Sequence, residues 1–324
     1  MTHPPSKFAA PPKPVREPSR GLQQFFRSNF NRWSDFYDKQ NFFARVYQER
    51  QATALRFAES LRLLPGATVL DAGCGPGVTS VALAEKGYRV HALDFVEELA
   101  ASTKARGRKA GVDAYLRATV GDATRLPFAD QSFDLVVMLG VTEWVPRLES
   151  LVSEAARVIK PGGHLIIAWN NRWGLHMILD PAANPIFKPL RSFMRRAIEK
   201  HGWNAPPRGY YYSLRNFKKC FDRYGLVNQQ ARGIGFGPFS LLSWRFVPEA
   251  LGHKLNSVLQ RLADRRMRRL QAVARNHVAL ARKSGTATAR ARGKQQRQRI
   301  LKSLSMSPRP AVWKIISGSD GTGR

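Results

Sequence analysis

The sequence predicts a doubly wound α/β domain, and two observations carry that reading. Short apolar runs alternate with helical patterns between residues 68 and 169. The glycine-rich turn Asp71-Ala72-Gly73-Cys74-Gly75-Pro76-Gly77 closes the first of those runs. The large positive charge of the chain lies almost wholly outside this stretch.

Taken in order, a Pro-rich basic segment over 1–20 holds too little apolar surface to offset the entropy of ordering and is expected to be a disordered tail. A helical stretch follows it. Phe43, Val46, Tyr47, Leu55, Phe57, Ala58 and Leu61 recur at helical spacing and predict a helix over 43–64, stopped by Pro65-Gly66. Strands are then expected over 68–70, 89–93, 115–120, 133–139 and 164–169, with helices over 78–86, 96–109 and 148–159 between them. That alternation implies a parallel sheet with helices on both faces. Beyond residue 170 the rhythm breaks into helices over 185–203 and 214–224, a strand over 226–234, a basic helix from 248 to about 270 and a strand over 273–281. The expected organisation is one domain over 21–283. Its core spans 43–170, with helical insertions over 171–225 and 237–271 on the acceptor side, and 284–324 form a flexible basic tail.

The chain of 324 residues carries 53 Lys/Arg against 23 Asp/Glu, a formal net charge of +30. Residues 67–170 hold 11 basic and 12 acidic side chains, which leaves 42 against 11 for the remainder. A neutral core with a basic periphery points to an anionic partner for the periphery, acidic lipid headgroups or nucleic acid. Cys74 and Cys220 show neither disulfide-scaffold nor zinc-ligand spacing, and no run of eighteen apolar residues or signal-peptide pattern occurs. A cytoplasmic location is the expectation, with peripheral contact at the inner face of the membrane as a refinement.

In an open parallel sheet a ligand sits at the carboxyl ends of the strands, where the strand order reverses. The turn 71–77 falls at such an end, and its glycines allow a ligand to approach the backbone. By itself the loop fits many nucleotides. Asp71 immediately before it and the absence of a basic residue within it disfavour a pyrophosphate and suit a ligand bearing a sulfonium and an ammonium. Asp94, ending the second strand, is placed for two ribose hydroxyls. Asp122, after the third, is placed for an adenine amine.

The stretch Val69 to Ala84, the loop from Gly121-Asp122-Ala123 through Leu126-Pro127-Phe128 to Asp134, and Arg157-Val158-Ile159-Lys160-Pro161-Gly162-Gly163 resemble the type 11 domain of class I S-adenosylmethionine-dependent methyltransferases. That group includes the ubiquinone- and menaquinone-biosynthesis enzymes. The resemblance spans about 43–170. It implies a Rossmann-like seven-stranded sheet with an antiparallel last strand. It also implies S-adenosyl-L-methionine bound at Asp71, Gly73, Gly75, Asp94, Asp122 and Ala123, with backbone contacts near Leu139.

Methyl transfer from a sulfonium is an in-line displacement, so the protein chiefly holds the acceptor close and aligned. A base helps when the acceptor is a hydroxyl or an acidic carbon. Glu143, in Leu139-Gly140-Val141-Thr142-Glu143-Trp144 after the fourth strand, is the candidate, followed by His176 and Tyr210 to Tyr212. The family often has His at the position of Trp144, so no role is carried over to that residue. Trp173, Met177, Ile178, Ile186, Phe187, Phe193 and Trp203 give the segment 171–212 an aromatic, apolar composition suited to a small-molecule or lipid-like acceptor for O- or C-methylation. Helices rich in Lys and Arg around 186–198 and 255–270 suit an anionic membrane surface. The alternative is an RNA or other nucleic-acid methyltransferase, motivated by eight Lys/Arg between Arg282 and Lys302. Against it, no Asn/Asp-Pro-Pro-aromatic sequence follows the fourth strand, and no Pro-Cys pair occurs.

Overall fold

Five parallel strands run through the middle of the molecule: β1 (Thr68–Ala72), β2 (Arg89–Asp94), β3 (Leu116–Val120), β4 (Phe133–Met138) and β5 (Ile159–Asn170). With β6 (Leu226–Ile234) and β9 (Asn276–Lys283) they form a seven-stranded sheet in the order β3-β2-β1-β4-β5-β9-β6. The last strand in sequence, β9, lies antiparallel to both β5 and β6. A separate two-stranded ribbon joins β7 (Ser240–Leu241) to β8 (Trp244–Arg245). The computed structural model describes residues 20–29, 37, 39, 41–180, 209–237, 239–241, 244–245, 247–265 and 267–285.

Strand alternation explains how both faces are buried. Val69 of β1 and Leu135 and Val137 of β4 face one side, against α2 (Phe42–Ser60) and α3 (Val78–Ala84). Leu70, Val136 and Met138 face the other, against α5 (Leu148–Val158) and α7 (Leu214–Arg223). Alternate residues pointing to opposite faces, both apolar, read as continuous hydrophobic runs of the kind a doubly covered sheet requires. Helix α4 (Glu97–Lys109) packs along β2 and β3. At the amino end, α1 (Arg20–Ser28) lies over the start of α4, with Phe26 buried against Val96, Leu99 and Phe95.

Several predicted boundaries shift. The helix expected over 43–64 ends at Ser60, because Arg62 turns to a positive φ of 48° and the chain breaks there, before Pro65. Its start is set by Asn41, whose side chain accepts from the Ala44 amide, a cap of about 1 kcal/mol. The strand expected from 164 begins at Ile159, since Ile159 already pairs with Phe133 on the other side of a register irregularity. The basic helix expected from 248 to about 270 is two helices, α8 (Glu249–Asp264) and α9 (Arg268–Ala272). The following strand starts at 276 rather than 273. The Asn171 amide donates to the carbonyls of Ala272 and Ala274, and Arg275 N donates to Gly235 O, which ties this stretch down before sheet pairing begins. The helix expected over 185–203 and most of the tail from 284 lie outside the described residues. A further short helix, α6 (Leu175–Leu179), follows β5.

Asp134 and Cys74 take the structural parts their surroundings dictate. Asp134 ties three elements together: its carboxylate accepts from the Thr68 amide and hydroxyl and from Lys160 Nζ. Partial burial raises its pKa, but these bonds outweigh that and hold it below the usual value. Cys74 is buried beside Thr103, and burial pushes its thiol far above the ordinary range, so it fills space as a neutral group.

Candidate functional site

The strand order reverses between β1 and β4, and the cleft outside their carboxyl ends opens into a cavity of about 440 Å³. Its floor is the turn after β1. Gly73 and Cys74 both donate their amides to Leu93 O at the end of β2, which clamps the turn onto the neighbouring strand. Gly73 has φ of 78°, and a Cβ there would come within 2.2 Å of Val141 Cγ2. Gly77 has φ of 84°, and a Cβ there would meet the Thr103 backbone at 2.8 Å. Glycine is therefore required at both places for conformation and for space.

Two carboxylates border this floor, both buried. Asp94 accepts from Gly75 N at 2.9 Å through Oδ2 and from Val96 N at 3.0 Å through Oδ1. Each oxygen keeps one lone pair for another donor, such as a vicinal diol. Asp71 accepts from the Ser80 hydroxyl at 2.6 Å. Burial raises the Asp71 carboxyl to about 7, opposed by the Ser80 bond and reinforced by the charge of Asp94. Burial likewise lifts Asp94 to about 6, opposed by its backbone donors. Two buried acids without a cationic partner among the described residues make an environment that favours a positively charged ligand. Asp122, half-buried in the wall, spends Oδ1 on the amide and hydroxyl of Thr124, which fixes the loop after β3. Ala123 and Leu139 complete this half of the lining. All seven residues expected to hold the cofactor thus face one cavity.

The other half of the cavity joins the expected Glu143 and Tyr210 to segments with no expected place in the site. Leu22 and Phe26 come from α1, Tyr47 and Arg50 from α2, and Tyr37 lies between them. Phe26, Phe95 and Trp144 form an edge-to-face cluster at its rim, with Phe26 5.0 Å from Trp144 between ring centroids. Glu143 lies in a single 3-10 turn (Thr142–Trp144) that Tyr210 N braces by donating to the Glu143 carbonyl. Its side chain is 3% exposed and pairs with the equally buried Arg50, Nη1 to Oε1, at 3.5 Å. The pair is incompletely satisfied: Arg50 Nε and Glu143 Oε2 have no hydrogen-bond partner among the described residues. Arg50 stacks over the Tyr47 ring at 4.0 Å, and burial, reinforced by the Glu143 carboxylate and opposed by Arg50 and Arg275, drives the Tyr47 hydroxyl up to about 12. Gly140 leaves room for the guanidinium, since a Cβ there would lie 2.9 Å from Arg50 Nη2.

The remaining candidates separate. Tyr210 lines the cavity, whereas the Tyr212 hydroxyl donates to Val145 O and holds the wall from behind. His176 packs beside Gly174, away from the cavity, and burial lowers its pKa well below the usual value. Trp173 and Ile178 are exposed and Met177 is buried, but none of them lines the cavity. Ile186, Phe187, Phe193 and Trp203 lie outside the described residues. The signal for Arg50 was present in the sequence: Val46, Arg50, Thr53, Ala54 and Phe57 follow helical spacing, so the arginine occupies the inward face of α2.

An open doubly wound sheet with acids at three strand ends and an aromatic chamber beside them is suited to a cationic ligand bearing hydroxyls and amines, with room for a second molecule. The sequence matches the methyltransferase domain family over residues 70–167. The demethylmenaquinone methyltransferase of Corynebacterium efficiens is 36% identical over 221 residues, which cover 67% of this chain and 86% of that relative. The ubiquinone biosynthesis O-methyltransferase of Hahella chejuensis is 32% identical over 148 residues, covering 45% of this chain and 60% of the relative. In fold, the chain is similar to magnesium protoporphyrin IX methyltransferase from Synechocystis with bound SAH, with a TM-score of 0.52 and 17% identity, over 81% of this chain and 98% of that one. The chain belongs to the class I S-adenosylmethionine-dependent methyltransferases of the ubiquinone/menaquinone type.

Proposed function

We propose that this enzyme methylates a hydroxyl-bearing, lipid-like small molecule at oxygen or at the adjacent carbon, with Glu143 as the base and Arg50 as the group that orients the acceptor. The observation that carries this reading is the half-satisfied Arg50–Glu143 pair in the wall of an otherwise aromatic chamber, continuous with the acid-lined cleft. The named acceptors of the relatives, a demethylmenaquinone and a ubiquinone precursor, are in keeping with such a chamber.

Asp94 would hold the ribose diol, Asp122 the adenine amine, and Asp71, Gly73 and Gly75 the amino-acid end of S-adenosylmethionine, with Ala123 and Leu139 against the ring. When bound, the cofactor supplies an electrophilic methyl group on a sulfonium. An acceptor hydroxyl entering between the paired side chains gives its proton toward Glu143 Oε2, while its oxygen faces the Arg50 guanidinium. The developing negative charge is thereby neutralised inside a site that excludes water, where such stabilisation is strongest. Phe26, Phe95 and Trp144 would cover the apolar remainder of the acceptor.

Incubating the purified enzyme and labelled cofactor with a lysate split into lipid, RNA, protein and small-molecule fractions tests the acceptor class. Label should enter the lipid or small-molecule fraction, and Glu143→Gln should lower that incorporation about 100-fold without changing cofactor affinity. Incorporation into RNA alone would overturn the reading and restore the nucleic-acid alternative.

A further inference from the structure

Helix α8 is built with most of its large aliphatic residues facing outward. The side it turns toward the body carries Gly252 and Ala263, both buried, and two amides that do the holding. Asn256 Oδ1 accepts from Phe236 N at 2.8 Å, Gln260 Oε1 accepts from Gly235 N at 3.1 Å, and Gln260 Nε2 donates to Gly233 O at 3.0 Å. Leu259 packs inward beside them on the Phe236 and Ala274 cluster, and the other four large aliphatics lie elsewhere: Leu251, Leu255, Val258 and Leu262 are 55, 38, 43 and 38% exposed. At 3.6 residues per turn these four fall within an arc of roughly 60°, so they form one stripe. Lys254, Arg261 and Arg265, all exposed, occupy the flank next to it, and exposed Met267, Arg268 and Arg269 extend the same chemistry past the helix end. The acid among them, Asp264, is neutralised by Arg232 at 2.8 Å.

We propose that this face of α8 docks on an anionic lipid surface, the aliphatic stripe entering the headgroup and acyl boundary and the basic row contacting acidic headgroups. Single exposed leucines are ordinary, but a continuous stripe bordered by cations is the pattern of an interfacial helix. Charge complementarity selects the occupant. A second copy of the chain would bring an identical basic row and be repelled, whereas an acidic bilayer satisfies both the stripe and the row. Association would be peripheral, since no helix among the described residues is long and apolar enough to cross a membrane. The face is also mechanically close to the reaction chamber: His253 of α8 packs against Phe42 at 5.9 Å, at the start of the helix that carries Tyr47 and Arg50. The inference stands apart from the acceptor assignment, because lipid binding is read without any chemistry.

Co-sedimentation of the full chain with vesicles of phosphatidylcholine alone, or with about one-third phosphatidylglycerol, tests it. The chain should bind the mixed vesicles. Leu255→Glu with Val258→Glu should lower partitioning about tenfold or more, with cofactor affinity by calorimetry and circular dichroism unchanged as evidence of folding. Changing Lys254, Arg261 and Arg265 to Gln should weaken binding to acidic vesicles and leave binding to neutral ones as it was. No binding to acidic vesicles at low salt, or full binding by the L255E/V258E variant, would overturn the proposal. So would a wild-type dimer that this variant dissolves.

Discussion

The two halves of the cavity are held by different means. The half proposed to hold the cofactor rests on backbone: the turn after β1 is clamped to Leu93, and both oxygens of Asp94 are seated on main-chain amides. The half proposed to hold the acceptor rests on side chains from α1, α2 and the 3-10 turn, and its central ion pair is only partly satisfied. Main-chain geometry constrains the first half to one ligand shape, as a shared cofactor demands.

The largest effect should come from breaking the acceptor half. Arg50→Met leaves Glu143 buried without its cation and should destabilise the protein by about 3–5 kcal/mol in urea unfolding. The double change Arg50→Met with Glu143→Met should recover most of that loss while activity stays abolished, which would mark the pair as retained for chemistry. If the double variant is as unstable as the single one, the pair is structural and the contrast between the halves collapses.

Breaking the cofactor half at its backbone comes next. Gly77→Ala forces a Cβ into the Thr103 backbone at a positive φ, and a loss of about 2 kcal/mol or more is expected, together with loss of cofactor binding in calorimetry. Wild-type affinity in that variant would show that the turn is not a rigid cradle.

Acidity sharpens the comparison. With Asp71 raised to about 7 and Asp94 to about 6, the folded chain without ligand binds more protons than the unfolded one between pH 4 and 7. These groups therefore lower its stability as pH rises through that window. A cationic cofactor prefers both acids ionised, so its binding should release protons and tighten with pH, by up to about tenfold per unit for each proton released. Calorimetry at pH 5.5, 6.5 and 7.5 checks this, and Asp71→Asn should flatten the upper part of the curve. The smallest effect belongs to Tyr212→Phe, which removes one bond to Val145 O and should lower stability by about 1 kcal/mol with little change in cofactor affinity.

Helix and strand existence from Thr68 to Trp169 was legible because each element is long enough to show its own periodicity, and β6 was read to its ends at Leu226 and Ile234. The break between α8 and α9 was not. Arg265 and Met267 continue a basic, apolar pattern, and the second helix is tied separately to β6 by the Gln271 side chain, which accepts from Gly233 N. Trp173 and Met177 read as acceptor lining from composition alone. Composition carries no direction, and the fold turns them away from the cavity.

By itself the sequence determined the sheet, the glycine turn and the three acids at strand ends, because backbone conformation and strand-end position are local properties written in glycine spacing and apolar period. Only the tertiary structure decided what faces those acids. Arg50 precedes Glu143 by some ninety positions, and no local pattern joins them. They meet because α2 packs across the sheet to the loop after β4, and it is burial there, away from water, that makes two ordinary surface residue types into one charged pair at the wall of the chamber.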